Sequence, residues 1–302
     1  MSEAVKDFQR TVASVQRKDM GEAVTEFLTI NAPLARESNG ERSQISAEYA
    51  YNRELQLRRF ADAFPHTAVC DLTKEHLDKF FETLGQFSAK TRNHYRMCVR
   101  QWLQWAVRKD FLPVTHRLGE ADGLRAERAN TAEIGFYTPR ELAALLENAD
   151  DTWRPLIAIG GLAGLRTAEL LRLDWADVWR VEGHIEITAS KSKTRQRRLV
   201  IICPALASWL EPFRANATGK PWHLHKSKFQ KYSLELCQQV GVKRKDNGLR
   251  HAYCAYHFAL HANENLTAQQ AGNSPAMIHA HYKGLATKAD AEKWFNVSPK
   301  LT

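Results

Sequence analysis

The chain has 302 residues, 44% of them apolar and 25% charged, which suits two domains with buried cores better than one. No apolar run approaches the ~20 residues of a membrane-spanning helix, and the first residues, MSEAVKDFQR, lack the zones of a signal peptide, so a cytosolic protein with no membrane partner is expected. Lys and Arg number 43 against 34 Asp and Glu, a formal charge of +9; residues 1–125 hold 19 basic and 17 acidic side chains, so most of the surplus lies beyond them and suggests a polyanionic partner.

Residues 21–36 and 43–62 carry apolar positions at helical spacing. Thr73 is placed to cap a helix over about 74–84, and Ser88 to cap SAKTRNHYRMCVRQWLQWAVRKD. In that long helix Tyr95, Val99, Trp102 and Ala106 form one stripe for burial. Arg92, Arg96 and Arg100 recur every four residues on another face, with Lys90 two positions after the cap. Such a row is either a solvated face or a face for DNA phosphates. No acidic residue lies between Ser88 and Val107, so pairs within the helix cannot explain it; DNA contact is the expectation.

Residues 119–137 lose apolar periodicity and read as an exposed linker. The division expected is a helical domain over 1–125, a linker over 126–137 and a second domain over 138–302. The second opens on a capping box, Thr138-Pro139-Arg140-Glu141. Helices are expected at about 139–149, 153–163 and 167–173, then strands at 184–188 and 197–202, then helices at 204–211, 226–240, 248–261, 267–271, 275–283 and 288–296. The fold class is mainly α with a small β-sheet.

Three residues in recognisable settings carry the chemistry: Arg166 in GLAGLRTAELLRLDW, Arg250 in NGLRHAYCAYH and Tyr282 in GNSPAMIHAHY. Guanidinium stays charged and can grip two phosphate oxygens at once. A phenol can attack phosphorus and hold it covalently. Glu169 stands three residues after Arg166, where it can orient the guanidinium. Arg250 has apolar neighbours and no acidic residue after it until Glu264, so a phosphate or a distant carboxylate must answer its charge. Between the strands, Lys191, Lys193, Arg195, Arg197 and Arg198 fall within eight positions. They are either a solvated tip or a hairpin that touches the DNA backbone and places an ammonium near a leaving oxygen, where lysine can give up a proton and arginine cannot; contact of Lys191, Arg195, Arg197 and Arg198 with DNA is the expectation. The five cysteines are scattered with no zinc-like spacing, so no metal is expected.

These segments, in this order, resemble the tyrosine recombinase (phage integrase) family over nearly the whole chain. GLAGLRTAELLRLDWADV resembles the segment of the first catalytic arginine, LRHAYCAYHFALH that of the second, and GNSPAMIHAHY the G-H-x(8)-Y box, with Asn273 nine positions before Tyr282. FSAKTRNHYRMCVRQWLQWAVRKDFL resembles the helical core-binding domain. The resemblance implies a helical core-binding domain followed by a mixed α/β catalytic domain. It implies that Arg166 and Arg250 bind the scissile phosphate and that Tyr282 attacks it, leaving a 3′-phosphotyrosine and a free 5′-hydroxyl. Lys193, seven residues before Val200 as in the family's K-x(6)-V pattern, would protonate the leaving oxygen, with Lys191 as the alternative. Glu169 matches an acidic position that steadies the first arginine. No cofactor is implied, and the partners implied are double-stranded DNA and further copies of the chain, a tetramer in synapsis, at the nucleoid.

Two positions depart from that pattern. Asn247 stands where the family has the first His of H-x-x-R, and Asn273 where it has His or Trp. Asparagine can donate a hydrogen bond but takes no proton at neutral pH. The phenol's proton could pass to water, to the phosphate, or to His251, His279 or His281. Two other readings stay open: a catalytically silent DNA-binding protein, and a relaxing enzyme like the type IB topoisomerases. The last helix, ATKADAEKWFNV, either docks Trp294 and Phe295 into a neighbouring copy or packs on its own domain.

Overall fold

A computed structural model describes residues 15–30, 47–128, 133–192, 196–220 and 226–300. It divides into two units, residues 1–132 and 133–302.

The first unit is helical: α1 (Met20–Ile30), α2 (Ala47–Asp62), α3 (Lys74–Glu82) and α4 (Ala89–Arg108). The remaining parts of the first two expected helices, 31–36 and 43–46, lie outside the described residues. Thr73 caps α3 by accepting from His76 N, and His76 Nδ1 returns the favour to Thr73 N, a capping box with imidazole in the usual place of Glu. Ser88 caps α4 by accepting from Thr91 N at 3.2 Å. The stripe Tyr95, Val99, Trp102 and Ala106 is buried, and Phe60 packs edge-on against both Phe80 and Trp102 at 5.0 and 5.7 Å.

The arginine row on α4 has a different occupation from the one expected. Arg92 Nε and Arg96 Nη2 both reach Glu127, at 2.8 and 2.6 Å. Arg96 Nε also donates to Gly123 O, and Arg100 Nη2 to Leu124 O. Arg96 is buried under this strap. The acid that answers the row lies 35 positions from Arg92, which is why spacing within the helix did not reveal it. Residues 118–128 are correspondingly not an exposed linker: Leu118, Ala121 and Leu124 are buried and the strap is tied to α4. Lys90 remains exposed.

Arg92, chiefly, holds the Glu127 carboxyl down to about 2. A depressed carboxyl stabilises the fold above its ordinary range and loses that contribution as pH falls toward the depressed value. Glu127→Gln is therefore expected to lower the stability of the first unit at neutral pH, with the gap to wild type closing between about pH 4.5 and about pH 2. Urea unfolding followed by tryptophan fluorescence across that range measures it, and a pH-independent gap would overturn the assignment.

The second unit contains α5 (Pro139–Asn148), α6 (Arg154–Leu162), α7 (Thr167–Leu170), α8 (Trp175–Trp179), β1 (His184–Ile187), β2 (Arg198–Ile201), α9 (Pro204–Leu210), α10 (Lys226–Gln239), α11 (Gly248–His261), α12 (Glu264–Ala271), α13 (Pro275–Tyr282) and α14 (Lys288–Trp294). The capping box at Thr138 and Glu141 is formed in both directions. Helix α6 is buried from Pro155 to Leu162, which its unbroken apolar run requires, and α9 and α11 pack on it. Strands β1 and β2 pair antiparallel with Ile185 opposite Val200 and Ile187 opposite Arg198. Gln270 docks β2 onto α12: its Oε1 accepts from Ile201 N at 2.9 Å and its backbone oxygen from Arg198 Nε at 3.2 Å. Helix α8 was not foreseen; it is one turn long, too short to show a period.

The last helix packs on its own unit. Trp294 is fully buried, stacks on Tyr256 at 4.8 Å and donates from Nε1 to Gly161 O at 3.1 Å. Phe295 lies edge-on to Tyr253 at 5.8 Å. Among the described residues no helix is long and apolar enough to cross a membrane.

Candidate active site

Segments far apart in sequence meet in the second unit. The chain leaves α6 through Gly164, whose φ of +65° favours glycine and where a Cβ would stand 2.2 Å from the Tyr253 ring. That turn brings Arg166 to the head of α7 and aims the Gly164 carbonyl at Arg250 Nη1, which donates to it at 2.6 Å. Arg250 lies in the first turn of α11, and Tyr282 ends α13, which Ser274 caps and Pro275 starts.

Asn273 joins the two arginines. Its Oδ1 accepts from Arg166 Nη2 at 3.1 Å and from Arg250 Nη2 at 2.9 Å. Both donors fall on the oxygen, which assigns the amide orientation and leaves the Nδ2 group as a donor for something else. Just before it, the Gly272 carbonyl also accepts from Arg166 Nη2. Gly272 has a φ of +67°, and a Cβ there would come within 2.9 Å of the Arg198 guanidinium, so side chains other than glycine would push the cluster apart.

Glu169 is the buried anchor, 1% exposed. It accepts from Arg166 Nη1 at 3.0 Å and from Arg198 Nη2 at 2.7 Å. Burial pushes its carboxyl up, but Arg198 and then Arg166 outweigh burial and the net shift is downward. Two guanidiniums thus share one carboxylate. Arg250 has no ion pair among the described residues; its partners are a neutral carbonyl and a neutral amide. Burial lowers its pKa, the mark of a cation held where charge is costly and an anion would be welcome.

Tyr282 is 5% exposed. Burial, and then the Cys254 thiol, raise its phenol far above the ordinary value, although Arg250 and Arg166 pull the other way. The phenol is therefore protonated at neutral pH, and a group must take that proton if the oxygen is to attack. His251, next to Arg250, has Nδ1 2.9 Å from the phenol oxygen. Burial and then Arg250 and His281 lower its pKa, so it is a neutral imidazole. The arrangement can seize an oxyanion between two forks and present a nucleophilic oxygen beside it.

No family model and no curated protein matches this sequence. Solved structures do. A lambda integrase dimer bound to a COC′ core site superposes with a TM-score of 0.71 at 12% identity, covering 95% of this chain and 83% of that one. XerH site-specific recombinase in a post-cleavage complex with a palindromic difH substrate gives 0.65 at 16% identity, covering 91% and 90%. The Tn1549 transposon integrase with a circular intermediate DNA gives 0.64 at 14%, covering 88% and 97%. This is the tyrosine recombinase fold.

Within the tyrosine recombinase fold the expected residues fall into three groups. Arg166, Glu169, Arg250, Asn273 and Tyr282 are gathered in one place. Asn247 is exposed, has a φ of +52°, precedes α11 and makes no side-chain cap there; its backbone oxygen accepts from His251 N. Lys193 and Arg195 lie outside the described residues.

The hairpin cations otherwise divide by strand face. Lys191, the alternative proton donor, has its ammonium on Asp174 and Asp177, both at 2.5 Å. Burial lowers its pKa, but the two carboxylates more than offset this and the net shift is upward. A doubly paired ammonium with a raised pKa is a poor acid, so Lys191 pins the base of the hairpin instead. Arg197 pairs with the buried Glu186 at 2.7 Å and stays largely exposed. Arg198, expected on DNA, is buried on Glu169. Its inward face was legible: it lies two residues before buried Val200, while Leu199 and Ile201 point out. His251 had only adjacency to Arg250 to mark it, and sequence reasoning could not choose it over His279, which instead meets Glu264 at 2.5 Å.

Proposed function

We propose that this chain is a site-specific DNA strand transferase of the recombinase or integrase kind, cutting and rejoining duplex DNA through a 3′-phosphotyrosine. The observation that carries the reading is the convergence of Arg166 and Arg250 on a single oxygen of Asn273, beside the buried phenol of Tyr282. Two planar cations aimed at one point suit the non-bridging oxygens of a phosphodiester, whose charge builds as phosphorus goes five-coordinate. The free Nδ2 of Asn273 supplies a third donor. Tyr282 attacks phosphorus, and Lys193 gives the 5′-oxygen its proton. The bond energy is kept in the phosphotyrosine, so a second 5′-hydroxyl can reseal the strand without a nucleotide cofactor.

The structural neighbours fit this reading. One lambda integrase structure is a tetramer on a Holliday junction, with a TM-score of 0.71 at 12% identity. By the same reading this chain works on double-stranded DNA as pairs of copies that meet in a tetramer, with exposed Lys90, Arg100 and Arg197 and partly exposed Arg92 as backbone contacts beside Lys193 and Arg195.

The target sequence follows from no motif, so the test uses a library of nicked duplex oligonucleotides of randomised sequence, in which the cut strand loses the short fragment that carries the new 5′-hydroxyl and the adduct is trapped. The wild-type protein is expected to capture a subset covalently, and Tyr282→Phe to capture none. Stable binding with no adduct under any condition would instead support the silent DNA-binding reading. Relaxation of a plasmid bearing one captured site, with no exchange between two, would favour the topoisomerase-like reading.

A further inference from the structure

With Asn247 unable to take a proton at neutral pH, the strand-transfer reading leaves the attacking oxygen without an assigned base. We propose that His251 is that base: its Nδ1 accepts the Tyr282 proton as the phenol oxygen bonds to phosphorus, and returns it when the tyrosine is displaced. This inference rests on the strand-transfer reading and deepens it by one residue.

The geometry is already that of the transfer. Nδ1 lies 2.9 Å from the phenol oxygen, within the range in which a proton passes directly. In the transfer the protonated phenol donates and the imidazole accepts, with its own proton on Nε2. The placement is not accidental to the fold. Arg250 and His251 are adjacent in the first turns of α11, so the chain segment that fixes one phosphate-binding guanidinium also fixes the base. His251 N is in turn bonded to Asn247 O at 2.9 Å, which ties the residue to the head of the helix. The other two imidazoles near Tyr282 are less suited: His279 is engaged by Glu264, and no hydrogen bond joins His281 to the phenol among the described residues.

The balance of the step is simple. The Tyr282 O–H bond breaks and its proton goes to His251 Nδ1. The oxygen–phosphorus bond forms, the bond from phosphorus to the 5′-oxygen breaks, and that oxygen takes a proton from Lys193. In resealing, the incoming 5′-hydroxyl gives its proton to the lysine amine, and the departing phenolate recovers its proton from the imidazolium. The groups acting on the charge of His251 are Arg250 on its own helix and His281 on α13, while the neutral phenol of Tyr282 meets its Nδ1. Arg250 disfavours an imidazolium at His251. A phosphodiester seated on Arg250 offsets that cation, so the base gains strength when substrate is present.

The experiment uses the full chain and a duplex captured by the wild-type protein. His251→Gln keeps a side-chain acceptor for the phenol but cannot hold the proton. It is expected to bind the duplex as wild type does and to form adduct about 10²-fold more slowly or worse. The wild-type rate should fall as pH drops through the lowered imidazole pKa, because protonated His251 cannot accept. That acid limb should vanish in His251→Gln and persist in His281→Gln. A duplex with sulfur in place of the 5′-bridging oxygen has a leaving group that needs no acid: it should restore Lys193→Ala and leave His251→Gln slow. Should His251→Gln cut at the wild-type rate, or the limb persist in it and vanish in His281→Gln, His251 is not the base. Failure of the wild-type protein to form any adduct strikes the strand-transfer reading instead, and a defect in His251→Gln that sulfur repairs assigns His251 to the leaving group.

Discussion

Arg250→Ala is expected to slow adduct formation on a captured duplex by about 10²–10³-fold, with duplex binding weakened far less. Each guanidinium donor aimed at the phosphate matters most when charge builds on its oxygens, whereas binding draws on many backbone contacts. The loss should exceed what one hydrogen bond supplies, because Arg250 also holds Asn273 Oδ1 at 2.9 Å and its removal frees the amide that serves as third donor. Arg250→Lys is expected to recover little, since an ammonium cannot reach Gly164 O, Asn273 Oδ1 and a phosphate oxygen in one plane. Single-turnover rates beside equilibrium binding decide the matter. Equal losses in both would mean that Arg250 contributes only affinity.

Glu169→Ala is expected to cost the second unit about 3–5 kcal/mol, because it strands two guanidiniums that now share a buried carboxylate. The milder Glu169→Gln keeps the volume and removes the charge. Since the Glu169 carboxyl is depressed, its stabilising contribution is present above the ordinary value of 4.5 and is lost as pH falls through the depressed one. Wild type and Glu169→Gln should therefore converge in acid. Urea unfolding of the full chain, with the second unit followed by hydrogen exchange at α7 and α12, reads both effects. A Glu169→Ala protein as stable as wild type would show that Arg166 and Arg198 find other partners at no cost.

Much of this was legible in the sequence where the cause is local. The caps at Thr73, Ser88 and Thr138 follow from side chains one turn from their partners. The pairing of Arg166 with Glu169 follows from a three-residue spacing at a helix start. Long-range partners were not legible. Glu127 answers arginines about 31 to 35 positions away across a turn, and Arg198 reaches Glu169 only because β2 folds onto α12. The excess of cations in the hairpin reads as one basic patch in sequence. The fold sorts it by strand face and by depth into a pinned lysine, a partly shielded arginine and a buried one. His251 was visible as a neighbour of Arg250; that its ring meets the phenol depends on where α13 ends.

The seating of Trp294 also bears on how fast copies of this chain could trade partners. Its indole is fully enclosed, stacked and hydrogen-bonded within its own unit. Any assembly that borrowed this tail from a neighbour must first undock it, exposing an aromatic side chain and an unmatched Gly161 carbonyl. Handover of the tail would therefore run at the pace of local unfolding and not of diffusion, and a complex once built that way would dissolve slowly.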